Sequence, residues 1–152
     1  MKHIKIVDDE SLSTEQLIGL DPELPITLEL SGFSGGGVFE MQSFTNKLSL
    51  LSDVRVHVSG LVAGTGMWPL GFAKKITADK DALFCFLNSQ AVSFGSPSDM
   101  EATAKLLDEV DAWSKDLFLD RFGINLDDIK DKWLSVSEMK ALGVPIEVIE
   151  MD

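Results

Sequence analysis

Alternation of apolar and polar residues marks the first strands. Lys2 to Val7 places Ile4 and Ile6 on one side and His3 and Lys5 on the other, the two-residue period of a strand. Ile26-Thr27-Leu28-Glu29-Leu30-Ser31 and Val54-Arg55-Val56-His57-Val58 repeat it. Both of these run into glycine, at Gly32 and Gly35-Gly36-Gly37 and at Gly60, Gly64 and Gly66. Between the first two strands, Ser13-Thr14-Glu15-Gln16 reads as a capping box for a short helix through Leu20, with Pro22 and Pro25 marking its exit. After the first glycine turn, residues 38–51 are predicted helical, with Phe39, Phe44, Leu48 and Leu51 on or near one face. After the second comes an apolar segment, 67–72. Residues 82–87 and 91–94 read as short strands parted by Asn88-Ser89.

The pattern then changes to a helical one. Ser98-Asp99-Met100-Glu101 reads as a capping box that opens a long helix to Phe122, ended by Gly123. Met100, Ala104, Leu107, Val110, Leu117 and Arg121 recur at helical spacing, and Leu106 and Trp113 add a second apolar stripe. A helix apolar on two sides is expected to pack against something besides its own domain, so Leu106 and Trp113 are the expected interface residues. A short acidic helix begins near Asn125. Ser135 and Glu138 form a further capping box, with Leu134 and Met139 placed as a hydrophobic staple, and that helix stops at Gly143. A strand over 144–149 closes the chain. Strands alternating with helices predict one α/β domain over residues 1–152, with a mainly parallel sheet covered by helices and a long helix near 98–122.

Composition narrows the classes of function. With 45% hydrophobic residues in 152, the chain can bury a core without covalent staples. One cysteine, Cys85, excludes an internal disulfide and suits a reducing, cytoplasmic setting. No signal peptide or membrane-spanning run is read. The net charge of -12 repels phosphate backbones and anionic lipid, so neither nucleic acid nor membrane is an expected partner. Residues 98–152 hold 14 acidic and 6 basic side chains, the pattern of solvated helix faces; no metal or cofactor is expected from it.

The two glycine turns carry the candidate chemistry. Where a strand ends and a helix starts, unpaired backbone N–H groups can converge on a negative oxygen, and glycine lets the ligand approach. The same glycines equally serve as tight turns. Read in order, Phe33-Ser34-Gly35-Gly36-Gly37-Val38, Gly60-Leu61-Val62-Ala63-Gly64-Thr65-Gly66, the segment 84–94 and Asp131-Lys132-Trp133-Leu134-Ser135-Val136-Ser137-Glu138 resemble the corresponding motifs of the proteolytic subunit of Clp protease and its phage and bacterial relatives. The resemblance implies a Clp-protease/crotonase-like fold whose handle helix is the long helix near 98–122.

Carried over residue by residue, the resemblance puts Gly64 at the nucleophilic serine, Phe94 at the histidine and Asp131 at the third triad member, with Gly36 and Thr65 at the oxyanion-hole positions. A triad needs a nucleophile and a base in hydrogen-bond reach, and neither Gly64 nor Phe94 supplies one. His57 reads as a strand-surface histidine and Cys85 as a buried, inert thiol. The resemblance therefore implies a catalytically inactive subunit with an assembly, scaffolding or regulatory role. Its expected partners are copies of itself, active subunits of the same class, a Clp ATPase or phage head proteins. Two enzymatic alternatives stay open: a serine-type endopeptidase with an unrecognised nucleophile, and a crotonase-like acyl-thioester enzyme that uses the glycine-loop oxyanion hole.

Overall fold

The computed structural model describes residues 2–6, 14–33 and 37–149. Its strands are β1 (Lys2–Ile6), β2 (Ile26–Phe33), β3 (Val54–Ala63), β4 (Lys75–Ala78), β5 (Leu83–Cys85), β6 (Trp133–Ser135) and β7 (Ile146–Val148). Its α-helices are α1 (Val38–Leu48), α2 (Pro97–Phe122) and α3 (Val136–Ala141). Five strands run parallel in the order β1-β2-β3-β4-β7. The far half of β3 also pairs with β5 in parallel, and β6 joins β5 antiparallel. The domain is α/β with a mostly parallel sheet flanked by helices.

The two-residue period explains the faces. Ile4, Ile26, Leu28, Leu30, Val54, Val56, Val58, Ile76, Ala78 and Ile146 are buried together in one core with the inward residues of the helices. Each Ile, Leu or Val among them contributes about 1.5–3 kcal/mol when fully buried. The intervening positions, Thr27, Glu29, Arg55, His57, Lys75, Thr77 and Glu147, are polar and share the other face. A parallel sheet covered on both sides reads as continuous apolar runs, and these strands do not.

Several elements depart from the sequence expectation for local reasons. Thr14–Leu17 is a 3-10 turn rather than a helix through Leu20, and the Ser13 of the expected capping box lies outside the described residues. Helix α1 stops at Leu48, and Met41, not Phe39, fills the core; Phe39 is 69% exposed. Residues 64–72 form a buried 3-10 segment that Pro69 keeps from becoming regular α-helix. The α2 cap sits at Ser96, two residues before the expected Ser98: the Ser96 hydroxyl accepts from the Asp99 N–H, the Asp99 carboxylate accepts from the Ser96 N–H, and Pro97 takes the first turn. The capping box of Ser135 and Glu138 and the buried pair Leu134 and Met139 start α3 as expected.

Helix α2 is seated by its second half. Trp113 packs edge-on to Trp68 at 4.9 Å and stacks with Phe72 at 6.3 Å, while Phe118 meets Phe86 edge-on at 5.0 Å. Gly71 allows Leu117 to lie close: a Cβ on Gly71 would stand 2.6 Å from Leu117 Cδ2. The first turns of α2 stand clear of this seat, with 97–102 all exposed.

Candidate functional site

The second glycine turn falls where β3 and β5 end and β6 begins. Ala63 pairs with Cys85, and Cys85 with Trp133, so Gly64, Phe86 and the residues before β6 come together just past the register. Phe33 pairs with Val62, which carries the end of β2 to the same edge. Gly36, which the resemblance puts at the oxyanion hole, lies with Ser34 and Gly35 outside the described residues. Thr65 is buried in the first turn of the 3-10 segment, where the leading N–H groups have no partner within the helix.

Gly64 and Asp131 both hold left-handed backbone, at φ 59° and 65°. Among the described residues Asp131 is the one non-glycine residue with positive φ, and its N–H donates to the Phe86 carbonyl at 2.8 Å. A nonglycine residue in this region carries about 1–3 kcal/mol of strain, which the surrounding strand ends must hold. The charge of Asp131 reaches Cys85: burial first, and then Asp131, push the Cys85 thiol above its ordinary range. Cys85 is free, buried and held as the thiol, which suits packing rather than attack.

Phe94 does not join this group. The segment expected to return as a strand over 91–94 has no strand partner and instead runs along α2. The Ser89 N–H and hydroxyl both donate to Asp111 at 2.8 Å, and the Ser93 and Thr103 hydroxyls bond at 3.1 Å. That orientation turns Ser89 and Ser93 toward the helix and the alternate residues outward, so Val92 is 81% exposed and Phe94 87%. Thr103 lies about 15 Å along the helix axis from Trp113, where α2 meets the domain. Segment 87–95 and the first turns of α2 thus form an arm, edged by Val92, Phe94 and Met100.

The two expected interface residues separate. Trp113 is engaged in packing within its own domain, whereas Leu106 is half-buried and is not among the residues packed on the core. Sequence reasoning missed a third group. His57 is only 1% exposed rather than on the strand surface: its Nδ1 shares a hydrogen bond with Thr77 Oγ1 at 2.7 Å, and its Nε2 one with Asp79 Oδ1 at 3.0 Å. The signal was the overlooked strand β4, which places Thr77 opposite His57.

Among the described residues no helix is long and apolar enough to cross a membrane, and no group of His, Cys, Asp and Glu is arranged to hold a metal ion. Neither a family model nor a curated protein matches this chain.

Proposed function

We propose that this protein is a catalytically silent, Clp-protease-like cytoplasmic subunit that works by association, docking a second copy through the arm. The observation that carries the reading is the exposed, uncharged segment 87–95 of the arm. Val92 and Phe94 project from an extended segment, and residues 82–98 contain no charged side chain. Two chains of net charge -12 repel each other, so a contact between copies is favoured where charge is absent. An aromatic such as Phe94 anchors an interface well, with about 2 kcal/mol from burial of a large apolar side chain. Catalytic silence is supported where β3 and β5 end. Gly64 offers no nucleophile, Phe94 stands on the arm rather than beside Gly64, and Asp131 has no base to orient.

Sedimentation velocity over a concentration series tests the association. Wild type should form a defined oligomer, and Phe94→Ser and Val92→Asp should each shift it to monomer with unchanged circular dichroism. A wild type that stays monomeric overturns the reading. Silence is tested by fluorophosphonate labelling and by peptide and acyl-thioester hydrolysis, where stoichiometric labelling or turnover overturns it.

A further inference from the structure

The polar face of the sheet holds a pocket that involves neither the glycine turn nor the arm. It is about 190 Å³ and is lined by Thr27 of β2, Arg55 and His57 of β3, and Lys75 and Thr77 of β4, with Ile149 at one side. The register explains why these side chains meet. Thr27, Arg55 and Lys75 form one cross-strand row, and His57 and Thr77 belong to the next row on the same face. Neighbouring strands lie about 4.8 Å apart, so Arg55 and Lys75 stand on adjacent strands of one face and both line the pocket.

The lining is unusual for this chain. Acidic residues outnumber basic ones by 25 to 13 over the sequence, yet the residues lining this pocket include two cations, a histidine and two hydroxyls and no carboxylate. The nearby acids stand behind or beside it and hold its donors. Asp53 accepts from Arg55 Nε at 3.2 Å and from Nη2 at 3.0 Å, which uses two of five guanidinium donors. Asp79 holds His57 from the opposite ring nitrogen to Thr77. Glu29, next to His57 in register, pairs with His3 at 3.2 Å. The Lys75–Glu147 pair, at 3.4 Å, is more than half exposed on both sides, and exposed pairs of this kind contribute little, so Lys75 can exchange its partner for a ligand.

We propose that this pocket binds a small oxyanion, and that its ligand is a dianionic phosphate group. An arginine fork and a lysine point charge on adjacent strands match the oxygens and double charge of phosphate better than those of a single carboxylate. Thr27 and Thr77 line the wall beside the two cations, and Asp79 and Thr77 hold the His57 ring from its two nitrogens.

The test is amide-resolved NMR at constant ionic strength, with inorganic phosphate, glycerol phosphate and acetate as probes. Saturable shifts are expected at Thr27, Arg55, Lys75 and Thr77 with both phosphates, at a dissociation constant of about 1 mM. Tighter binding of glycerol phosphate identifies a phosphate monoester as the ligand; tighter binding of inorganic phosphate identifies the free ion. Arg55→Gln and Lys75→Gln should each weaken binding by about tenfold, and Lys140→Gln, on α3, should leave it unchanged. Absence of saturable shifts, shifts spread over other regions, equal binding of acetate, or equal loss in Lys140→Gln overturns the proposal. Both pocket cations are partly exposed, so the variants retain the fold, which the same spectra verify.

Discussion

Replacing Trp113 by Ala decides whether that ring belongs to the domain or to an interface. In the structure it closes the seat of α2, edge-on to Trp68 and stacked over Phe72. Each aromatic pair contributes about 0.5–1.5 kcal/mol beyond area burial, and a fully buried Trp→Ala change costs about 3–5 kcal/mol. Trp113 keeps part of its surface in solvent, so the expected loss is about 2–4 kcal/mol. Against a typical domain stability of about 5–15 kcal/mol this is large, and at about 2 kcal/mol per molar urea it lowers the unfolding midpoint by about 1–2 M. Far-ultraviolet circular dichroism is the suitable probe, because the substitution removes one of three tryptophans and would distort fluorescence. Measurement at concentrations where the protein is monomeric keeps association out of the result. An unchanged midpoint, together with weaker self-association in sedimentation, would refute the assignment and return Trp113 to an interface. Trp113→Phe should recover most of the stability, since a ring still meets Trp68.

Gly71→Ala should destabilise by about 1–3 kcal/mol in thermal unfolding, because the added methyl meets Leu117 and overpacks the same seat; a neutral result would mean that Leu117 turns aside freely. Cys85 should resist Ellman's reagent in the native protein at about pH 8 and react with one equivalent after denaturation, as burial and Asp131 both disfavour its thiolate; rapid native reaction would contradict the packing at β5. Acid should loosen the start of α2. The Ser96 backbone N–H, and then its hydroxyl, hold the Asp99 carboxyl below its ordinary value of 3.8, so this contribution is complete above that value and is lost as pH falls through the lower folded value. Amide exchange at residues 97–100 followed from about pH 5 down to about pH 2 should show this fraying, and Ser96→Ala should show it already at neutral pH, at a cost of about 1 kcal/mol.

The strands with the strongest period were legible in the sequence because their alternation is itself the cause of their burial. The Ile26 and Val54 strands each put an apolar row into the core. The C-terminal end of α2 and the start of α3 were legible through Gly123 and the Ser135–Glu138 box, where a left-handed residue or a local hydrogen bond decides the boundary. Strands β4 and β6 were missed because Lys-Ile-Thr-Ala and Trp-Leu-Ser are too short to show a period, and pairing partners distant in sequence fix them. Segment 91–94 went astray for the opposite reason. It has strand-like alternation, but Ser89 and Ser93 find Asp111 and Thr103 on α2, and the chain follows the helix. That one turn of the chain separates Phe94 from Gly64 and Asp131, a separation that no reading of the local motif contains. The His57 cluster was hidden because its partners are supplied by the unrecognised β4.

The arm also governs where the chain tolerates a break. Between Lys80 and Lys105 there is no lysine or arginine, so trypsin has no site in this most exposed stretch. Chymotrypsin does, at Phe94, on backbone outside any strand ladder. A nick there leaves two pieces that remain interlocked. The later piece carries β6 against β5, β7 against β4 and Phe118 against Phe86, all contacts that do not pass through the cut. The same position suits new termini in a circular permutant or the insertion of a reporter domain, because continuity of the polypeptide at Gly95 is not what holds the two halves together.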